Sequence, residues 1–378
     1  MQKYQYINTR TNLGRLTGRI KKARRVAVDI EADSFHHYFE KVCLIQIAVG
    51  QDIYLVDPLA DFELSAFLDV LADTVIIFHD GGYDLRMMRS SFGFEPRSRV
   101  FDTMLAAQLL GYRQFGLAAM LDEVLAVSMA KGQQKADWSR RPLSEKLLAY
   151  AADDVLHLAE LADCLSAGLK ELGRTQWHNE SCQWLVKATA VEKGQPDKDR
   201  QWRVKGSREL TRRQLAFLRQ LWRWRDGEAR RADRPPFKIM GNQQLIHLAL
   251  WAQSHPNTSL NKGPRLPRHC TGRRFTGIET AIARARALPE SSWPRPLKPP
   301  RAPRWSAADK ELADVLRDKC RQIADRLGIE PFVLAPRATI AVIARERPAT
   351  IAELADCGPM MQWQAKLLWP AVKSVLGA

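Results

Sequence analysis

Apolar positions in the first half of the chain fall into short runs that alternate with helical spacings. Val26-Ala27-Val28-Asp29-Ile30-Glu31 is an apolar run that ends in two carboxylates one residue apart, and it predicts a buried strand. Val42 to Val49 predicts a second strand, Gly50-Gln51-Asp52 a turn, and Ile53-Tyr54-Leu55-Val56 a third strand closed by Pro58. Phe62, Leu64, Phe67, Leu68 and Leu71 are spaced for a helix over 62–72, and Thr74 to Phe78 is a fully apolar fourth strand. It runs into His79-Asp80-Gly81-Gly82-Tyr83-Asp84, where two glycines permit a tight turn and Asp84 falls in the first turn of a helix. Further helices are predicted around Phe101–Ala107 and Leu117–Leu125, followed by a polar loop from Lys131 to Arg141. From Leu143 a long helix is predicted, with Pro142 at its entry. Leu147, Leu148, Ala151, Val155 and Leu156 define its buried side. Tyr150 and Asp154 stand four residues apart and so share a face. Asp153 projects about a quarter turn away, into solvent.

The second half contains helical spacing only. Glu192 to Arg200 reads as a charged linker. Leu210, Leu215, Leu218, Leu221 and Trp222 then follow a helical period with arginines between them, and Pro235-Pro236 marks a turn before the next helix. Trp222, at helical spacing, reads as core. Prolines 289, 294, 296, 299, 300 and 303 make a stiff, extended spacer, and residues 306–378 read as another helical unit. The pattern divides the chain into an α/β domain over 1–195, a helical domain over 205–288, a linker over 289–305 and a second helical domain over 306–378.

Composition agrees with two or three domains, because 378 residues exceed one ordinary core. The 46% hydrophobic and 26% charged fractions are those of a soluble globular protein. No apolar run approaches a membrane span, and the basic N-terminus lacks the apolar core of a secretory signal. Six cysteines scattered without a CxxC spacing argue against a zinc site or a disulfide framework and point to a reducing, cytoplasmic setting. Charge changes the picture more. Residues 1–200 carry 25 Lys and Arg against 27 Asp and Glu, whereas residues 201–378 carry 33 against 15. The net +16 is therefore confined to the back half, as in a polyanion-binding appendage. Arg212, Arg213, Arg219, Arg223, Arg230 and Arg231 outnumber the acids near them and read as phosphate contacts. Lys21, Lys22, Arg24 and Arg25, beside the first strand, read as charges that keep an apolar strand from aggregating.

The chemistry begins with Asp29 and Glu31. Residues at i and i+2 of a strand point to one face, so the two carboxylates converge and repel unless a proton or cation lies between them. Hard oxygen ligands suit Mg²⁺ or Mn²⁺. Asp154 lies beside an apolar stripe, where an unpaired carboxylate is costly. Asp84 and Asp80, taken alone, read as helix-start residues. No Ser or Cys stands at a recognisable spacing from a base.

A strand with DxE, a strand-to-helix Asp and a late-helix YxxxD together resemble the DEDD superfamily of 3′–5′ exonucleases, in its tyrosine-variant, ribonuclease D branch. The HDGGYDL context of Asp84, the FDTMLAAQLLG segment and KADWSRRPLSEKLLAYAADD carry the resemblance, which spans roughly residues 15–195. LWRWRDGEARRADRPPFKIMGNQQLIHLA resembles the helicase-and-RNase-D C-terminal (HRDC) domain, and residues 306–378 resemble a second copy. The resemblance implies an RNase H-like α/β domain with a mixed sheet flanked by helices, followed by two small all-α bundles. It implies that Asp29, Glu31, Asp84 and Asp154 hold two divalent metal ions, Mg²⁺ or Mn²⁺, and that Tyr150 orients the attacking water. The implied reaction is a two-metal hydrolysis of the last phosphodiester, the ions roughly 3.5–4 Å apart, releasing a nucleoside 5′-monophosphate.

The implied partner is RNA with a free 3′ end, such as a tRNA precursor, bound by a monomer. The alternatives are a DNA 3′–5′ exonuclease and, from another class, a non-catalytic RNA-binding scaffold. The sequence departs from the family pattern at Ile30, where Thr is usual, and at Ala32, where a bulky residue is usual. Phe35, His36, His37 and Tyr38 follow and are placed to compensate in contacts with the terminal nucleotide. His79 reads as structural.

Overall fold

Four residues that the hydrophobic pattern left unassigned, Tyr4–Ile7, form the first strand, β1. The protein was analysed as a computed structural model that describes residues 4–129, 132–190, 197–296 and 306–377. Lys131, at the start of the polar loop, the linker residues 191–196 and the prolines within 297–305 lie outside the described residues. Helix α1 (Arg10–Ile20) follows β1 and turns Leu13, Leu16 and Ile20 inward. Strands β2 (Arg25–Ala32), β3 (Val42–Val49), β4 (Asp52–Val56), β5 (Val75–Phe78) and β6 (Val100–Asp102) complete one mixed sheet, in the order β1-β4-β3-β2-β5-β6. The β2–β3 and β3–β4 pairs are antiparallel, and β1–β4, β2–β5 and β5–β6 are parallel.

The two faces of the sheet are covered by different helices. Val26, Val28 and Ile30 of β2 point to the side packed by α1, α2 (Ser65–Ala72) and α3 (Gly82–Phe92). Ala27, on the other face, joins a cluster with Leu148, Ala151, Ala152 and Val155. Those four belong to α6 (Glu145–Leu156), which follows α4 (Thr103–Leu110) and α5 (Leu117–Leu125). Strand alternation thus puts Asp29 and Glu31 on the face that α6 covers.

Three expected elements differ. Val100–Asp102 is a strand, so the helix expected from Phe101 begins at Thr103, with the Asp102 carboxylate capping it through Leu105 N–H at 2.9 Å. The long helix from Leu143 starts at Glu145, where the Ser144 hydroxyl caps it, and it breaks at His157 before α7 (Leu158–Glu171). Asp153 is half-buried, not solvated, and burial raises its pKa.

The described residues fall into two compact units. The first takes the described residues of Met1–Ala32, Lys41–Val191 and Pro303–Ala378; the second takes Asp33–Glu40 and the described residues of Glu192–Ala302. In the first unit, α8 (Thr175–Ala190) completes the nuclease part. The second unit holds α9 (Lys198–Gln201), α10 (Arg212–Arg231), the one-turn α11 (Pro236–Ile239), α12 (Asn242–Ser254) and α13 (Arg273–Ala287). Its core gathers Leu215, Leu218, Leu221, Leu245, Leu248 and Ile278, with Trp222 packed against it.

The last helices, α14 (Ala307–Leu327), α15 (Pro331–Leu334), α16 (Arg337–Glu346), α17 (Ile351–Asp356) and α18 (Gln362–Leu376), belong to the first unit. Ala106, Met120, Leu161 and Leu165 share one hydrophobic cluster with Leu316, Ile343, Trp363 and Leu368. Arg174 donates to both Leu109 O and Leu327 O at 2.5 Å, and the Trp177 and Trp363 rings stack with centroids 4.8 Å apart.

Candidate metal centre

Asp29, Glu31 and Asp154 converge. Each offers a carboxylate oxygen, these oxygens lie within 4.8 Å of one another, and all three residues keep some solvent exposure. In the β2–β3 register Asp29 stands opposite Gln46 and Glu31 opposite Leu44, with a bulge between Glu31 and Ala32. That bulge ends the regular pairing just beyond the second carboxylate. Gln46 Nε2 donates to Asp29 Oδ2 at 3.3 Å, so the buried amide steadies the first carboxylate. Asp154 reaches the same point from α6, and Tyr150 stands one turn earlier on that helix.

Asp84 arrives by a different route. It sits in the first turn of α3, buried to 6% exposure. It lies outside the three-carboxylate cluster, yet its charge acts on Glu31, and that of Asp29 acts on it. The turn that delivers it is tightly constrained. Asp80 adopts a left-handed backbone at φ +58°, uncommon for a residue with a Cβ. A Cβ on Gly81 would stand 2.6 Å from the Phe78 side chain, and Gly81 N–H donates to Asp102 Oδ2 at 2.8 Å. The second glycine is under less pressure, since a Cβ on Gly82 would meet Leu185 Cδ1 at 3.3 Å. His79 Nδ1 lies 2.8 Å from Thr103 Oγ1, and burial holds its pKa down at about 4.

The electrostatics follow from crowding acids in a confined space. Burial pushes Asp29 up to about 7. Burial, then the charges of Asp29, Asp154 and Asp84, push Glu31 up to about 10. Burial and Asp29 push Asp154 up to about 8, and Asp84 is held well above the ordinary carboxylate range by burial and Asp29. Among the described residues, no cationic side chain contributes to any of these four shifts. Acids drawn together in this way, without a basic partner among the described residues, repel one another, and a cation would relieve that repulsion.

Sequence reasoning missed the support behind Tyr150. Trp138, fully buried, lies tilted against the Tyr150 ring at 6.2 Å. Its carbonyl accepts from Arg141 Nη1 at 2.7 Å. The same guanidinium grips Asp57 through Nε and Nη2 and donates to Cys43 O. Tyr6 adds a 2.6 Å hydrogen bond to Asp57. The available signal was the unusual Asp137-Trp138 inside a polar loop.

The arginines expected on phosphate are partly engaged in the second unit itself. Arg212 donates to Glu290 O and Trp293 O, Arg219 to Ser292 O, and Arg231 pairs with Glu228. Arg213 lies over the Trp293 ring. Counting acids overlooked main-chain carbonyls as partners.

Residues 4–170 match the family described as 3'-5' exonuclease, and residues 214–252 and 309–370 match the HRDC domain. Ribonuclease D of Gluconacetobacter diazotrophicus is 32% identical over 336 residues, 84% of each chain. The chain belongs to the ribonuclease D family. Ribonuclease D of Xanthomonas oryzae pv. oryzae is 29% identical over 97% of this chain and 98% of its own. A crystal structure of a protein from Bifidobacterium adolescentis superposes with a TM-score of 0.83 at 26% identity, covering 99% of this chain and 97% of that one. Escherichia coli RNase D, described as an exoribonuclease involved in structured RNA processing, shares the fold at TM-score 0.69 and 23% identity, each chain covered to 99%. As a ribonuclease D family member this chain is a hydrolytic 3′–5′ exoribonuclease with RNA as its partner, and its family is divalent-metal dependent.

Proposed function

We propose that Asp29, Glu31, Asp84 and Asp154 hold two divalent cations, Mg²⁺ or Mn²⁺, and that the enzyme trims structured RNAs, tRNA precursors among them, from a free 3′ end. The observation that carries this reading is the convergence of three carboxylate oxygens within 4.8 Å, with no cationic side chain among the described residues to neutralise them. The donor set is all oxygen, which fits a hard cation. Bound cations would supply an activated water and stabilise charge on the attacking and leaving oxygens. The chain's own residues do the rest. Asp29 and Glu31 are fixed by the strand, Asp154 by α6, and Asp84 by the turn at Gly81. Tyr150, one turn before Asp154 on α6, orients the attacking water with its hydroxyl, which burial and the neighbouring acids keep protonated.

In this reading residues 1–195 cut, while the strongly basic helical domain over 205–288, with the near-neutral helical domain over 306–378 beside it in sequence, grips the RNA body. Products are nucleoside 5′-monophosphates, and the six free thiols fit a cytoplasmic setting. The test is degradation of matched RNA and DNA oligonucleotides with Mg²⁺, Mn²⁺ or chelator. RNA is expected to shorten from its 3′ end only with metal, and a 3′-phosphate is expected to block it. Asp29→Asn and Asp154→Asn are expected to abolish hydrolysis with RNA binding retained. Unchanged turnover in either variant overturns the ligand assignment.

A further inference from the structure

Only three large hydrophobic side chains among the described residues of the second unit are strongly exposed, and all are phenylalanines: Phe35 at 50%, Phe39 at 57% and Phe237 at 56%. They come from two places far apart in the chain. Phe35 and Phe39 lie on the segment 33–40, and Phe237 lies on α11. The two places meet, because Lys238 Nζ stands 3.2 Å from His36 Nδ1, next to Phe237 on one side and Phe35 on the other.

The frame beneath these rings is built. The Asp233 carboxylate accepts from the Tyr38 and Phe39 backbone N–H groups at 3.0 and 3.2 Å and lies 2.7 Å from His37 Nδ1. Asp233 holds that position at φ +44°, in the left-handed region that aspartate tolerates better than most residues with a Cβ. Tyr38 donates to Asp226 at 2.8 Å, and the Arg230 guanidinium lies over the Tyr38 ring at 5.5 Å. Asp226 and Asp233 are therefore turned to the frame, whereas Phe35, Phe237 and Lys238 are exposed. Phe237 is not needed to close the core, because Ile239 and Met240 behind it are buried to 1% exposure. The second helical bundle repeats the arrangement: α15 also opens on proline, with Phe332 exposed at 47% and Leu334 fully buried.

We propose that Phe35 and Phe237 form a stacking platform for the bases of single-stranded RNA, with Lys238 and Arg230 facing its phosphates. Flat apolar rings interleaved with cations match a ligand that offers base faces and anionic linkages together. The inference rests on the exoribonuclease reading for its ligand class, and segment 33–40 follows directly on the strand that carries Glu31. A sequence-tolerant platform suits an enzyme that must accept any base as trimming proceeds.

The test uses the full chain and a fluorescently labelled U12 oligoribonucleotide, with chelator present so that binding is read without hydrolysis. Phe35→Ala and Phe237→Ala are each expected to weaken binding about tenfold. Phe237→Leu, which keeps apolar bulk and loses the flat face, is expected to bind as weakly as Phe237→Ala. Phe237→Trp is expected to bind tightly, its fluorescence quenched by the RNA. Lys238→Ala is expected to lower the salt slope of log K by about 0.7, with the phenylalanine variants leaving the slope unchanged. Wild-type affinity in Phe237→Leu, or in Phe237→Ala, overturns the proposal. Should Phe237→Ala fail to fold, the Leu and Trp variants decide. With metal restored, wild-type hydrolysis alongside undiminished binding in the variants sinks the platform alone. Binding that depends on Phe237 in a chain that never hydrolyses RNA sinks the exonuclease reading alone.

Discussion

Arg141 grips Asp57 with two guanidinium–carboxylate hydrogen bonds of 2.6 Å, and the same side chain holds the carbonyl of Trp138. This fork joins the end of β4 to the loop that leads into α6, with the Trp138 indole backing Tyr150. The Asp57 side chain is only 7% exposed, so Arg141→Ala leaves a nearly buried carboxylate without its cation, held only by Tyr6 and the Leu59 N–H. It is expected to destabilise the protein by about 3 kcal/mol and to lower kcat more than it changes KM. Denaturant melts and steady-state kinetics check both parts. Arg141→Lys, which loses the fork, is expected to recover little.

The turn before Asp84 gives a paired prediction. A methyl group at Gly81 has no room beside Phe78, whereas one at Gly82 meets the ends of two flexible side chains, Leu185 and Arg86. Gly81→Ala is expected to shift the start of α3, cost roughly 1–3 kcal/mol and reduce kcat by more than tenfold. Gly82→Ala is expected to be milder on both counts. Equal activity in the two variants would separate Asp84 placement from this turn.

Metal stabilisation should depend on pH in a definite direction. Without metal, Asp29, Asp154 and Glu31 are held at about 7, 8 and 10, above their ordinary values. An acid raised on folding weakens the folded state progressively as pH climbs from the ordinary carboxylate range to the raised value. A cation at the site removes that repulsion and must displace protons to bind. The rise in Tm produced by Mg²⁺ is therefore expected to grow between pH 6 and pH 9 and to shrink in Asp29→Asn. Thermal melts at matched ionic strength measure it.

His79 predicts the opposite limb. Burial depresses its folded pKa to about 4, below the ordinary 6.5. A base depressed on folding leaves stability intact above the ordinary value and withdraws it as pH falls toward the folded one. Between pH 6.5 and 4 the wild type is expected to lose up to about 3 kcal/mol relative to His79→Asn. Urea unfolding of the two proteins at pH 7.5 and pH 5 gives the difference directly.

Much of the site was legible because period two is unambiguous. Asp29 and Glu31 sit inside an apolar run, and their convergence follows from strand geometry before any fold is known. Tyr150 and Asp154 were readable from the helical period for the same reason. Asp84 was not separable from an ordinary cap, since only the path of β5 and the crowding at Gly81 aim it inward. Strand β1 escaped notice because Tyr4, Tyr6 and Ile7 gain their burial only by pairing with β4, nearly 50 residues later in the chain. Strand β6 is three residues long, too short to show a period. The Arg141 fork and the arginine-to-carbonyl contacts are long-range, and residue counting along the sequence has no access to them.

The stacked Trp177 and Trp363, together with Arg174 spanning two carbonyls, make the C-terminal helices a wall of the nuclease and not a passenger. Evolution therefore cannot shorten this enzyme by dropping its last segment alone. A natural one-bundle relative would have to repave the outward faces of α4, α5, α7 and α8 with polar side chains, and that substitution pattern is the mark to look for in shorter lineages.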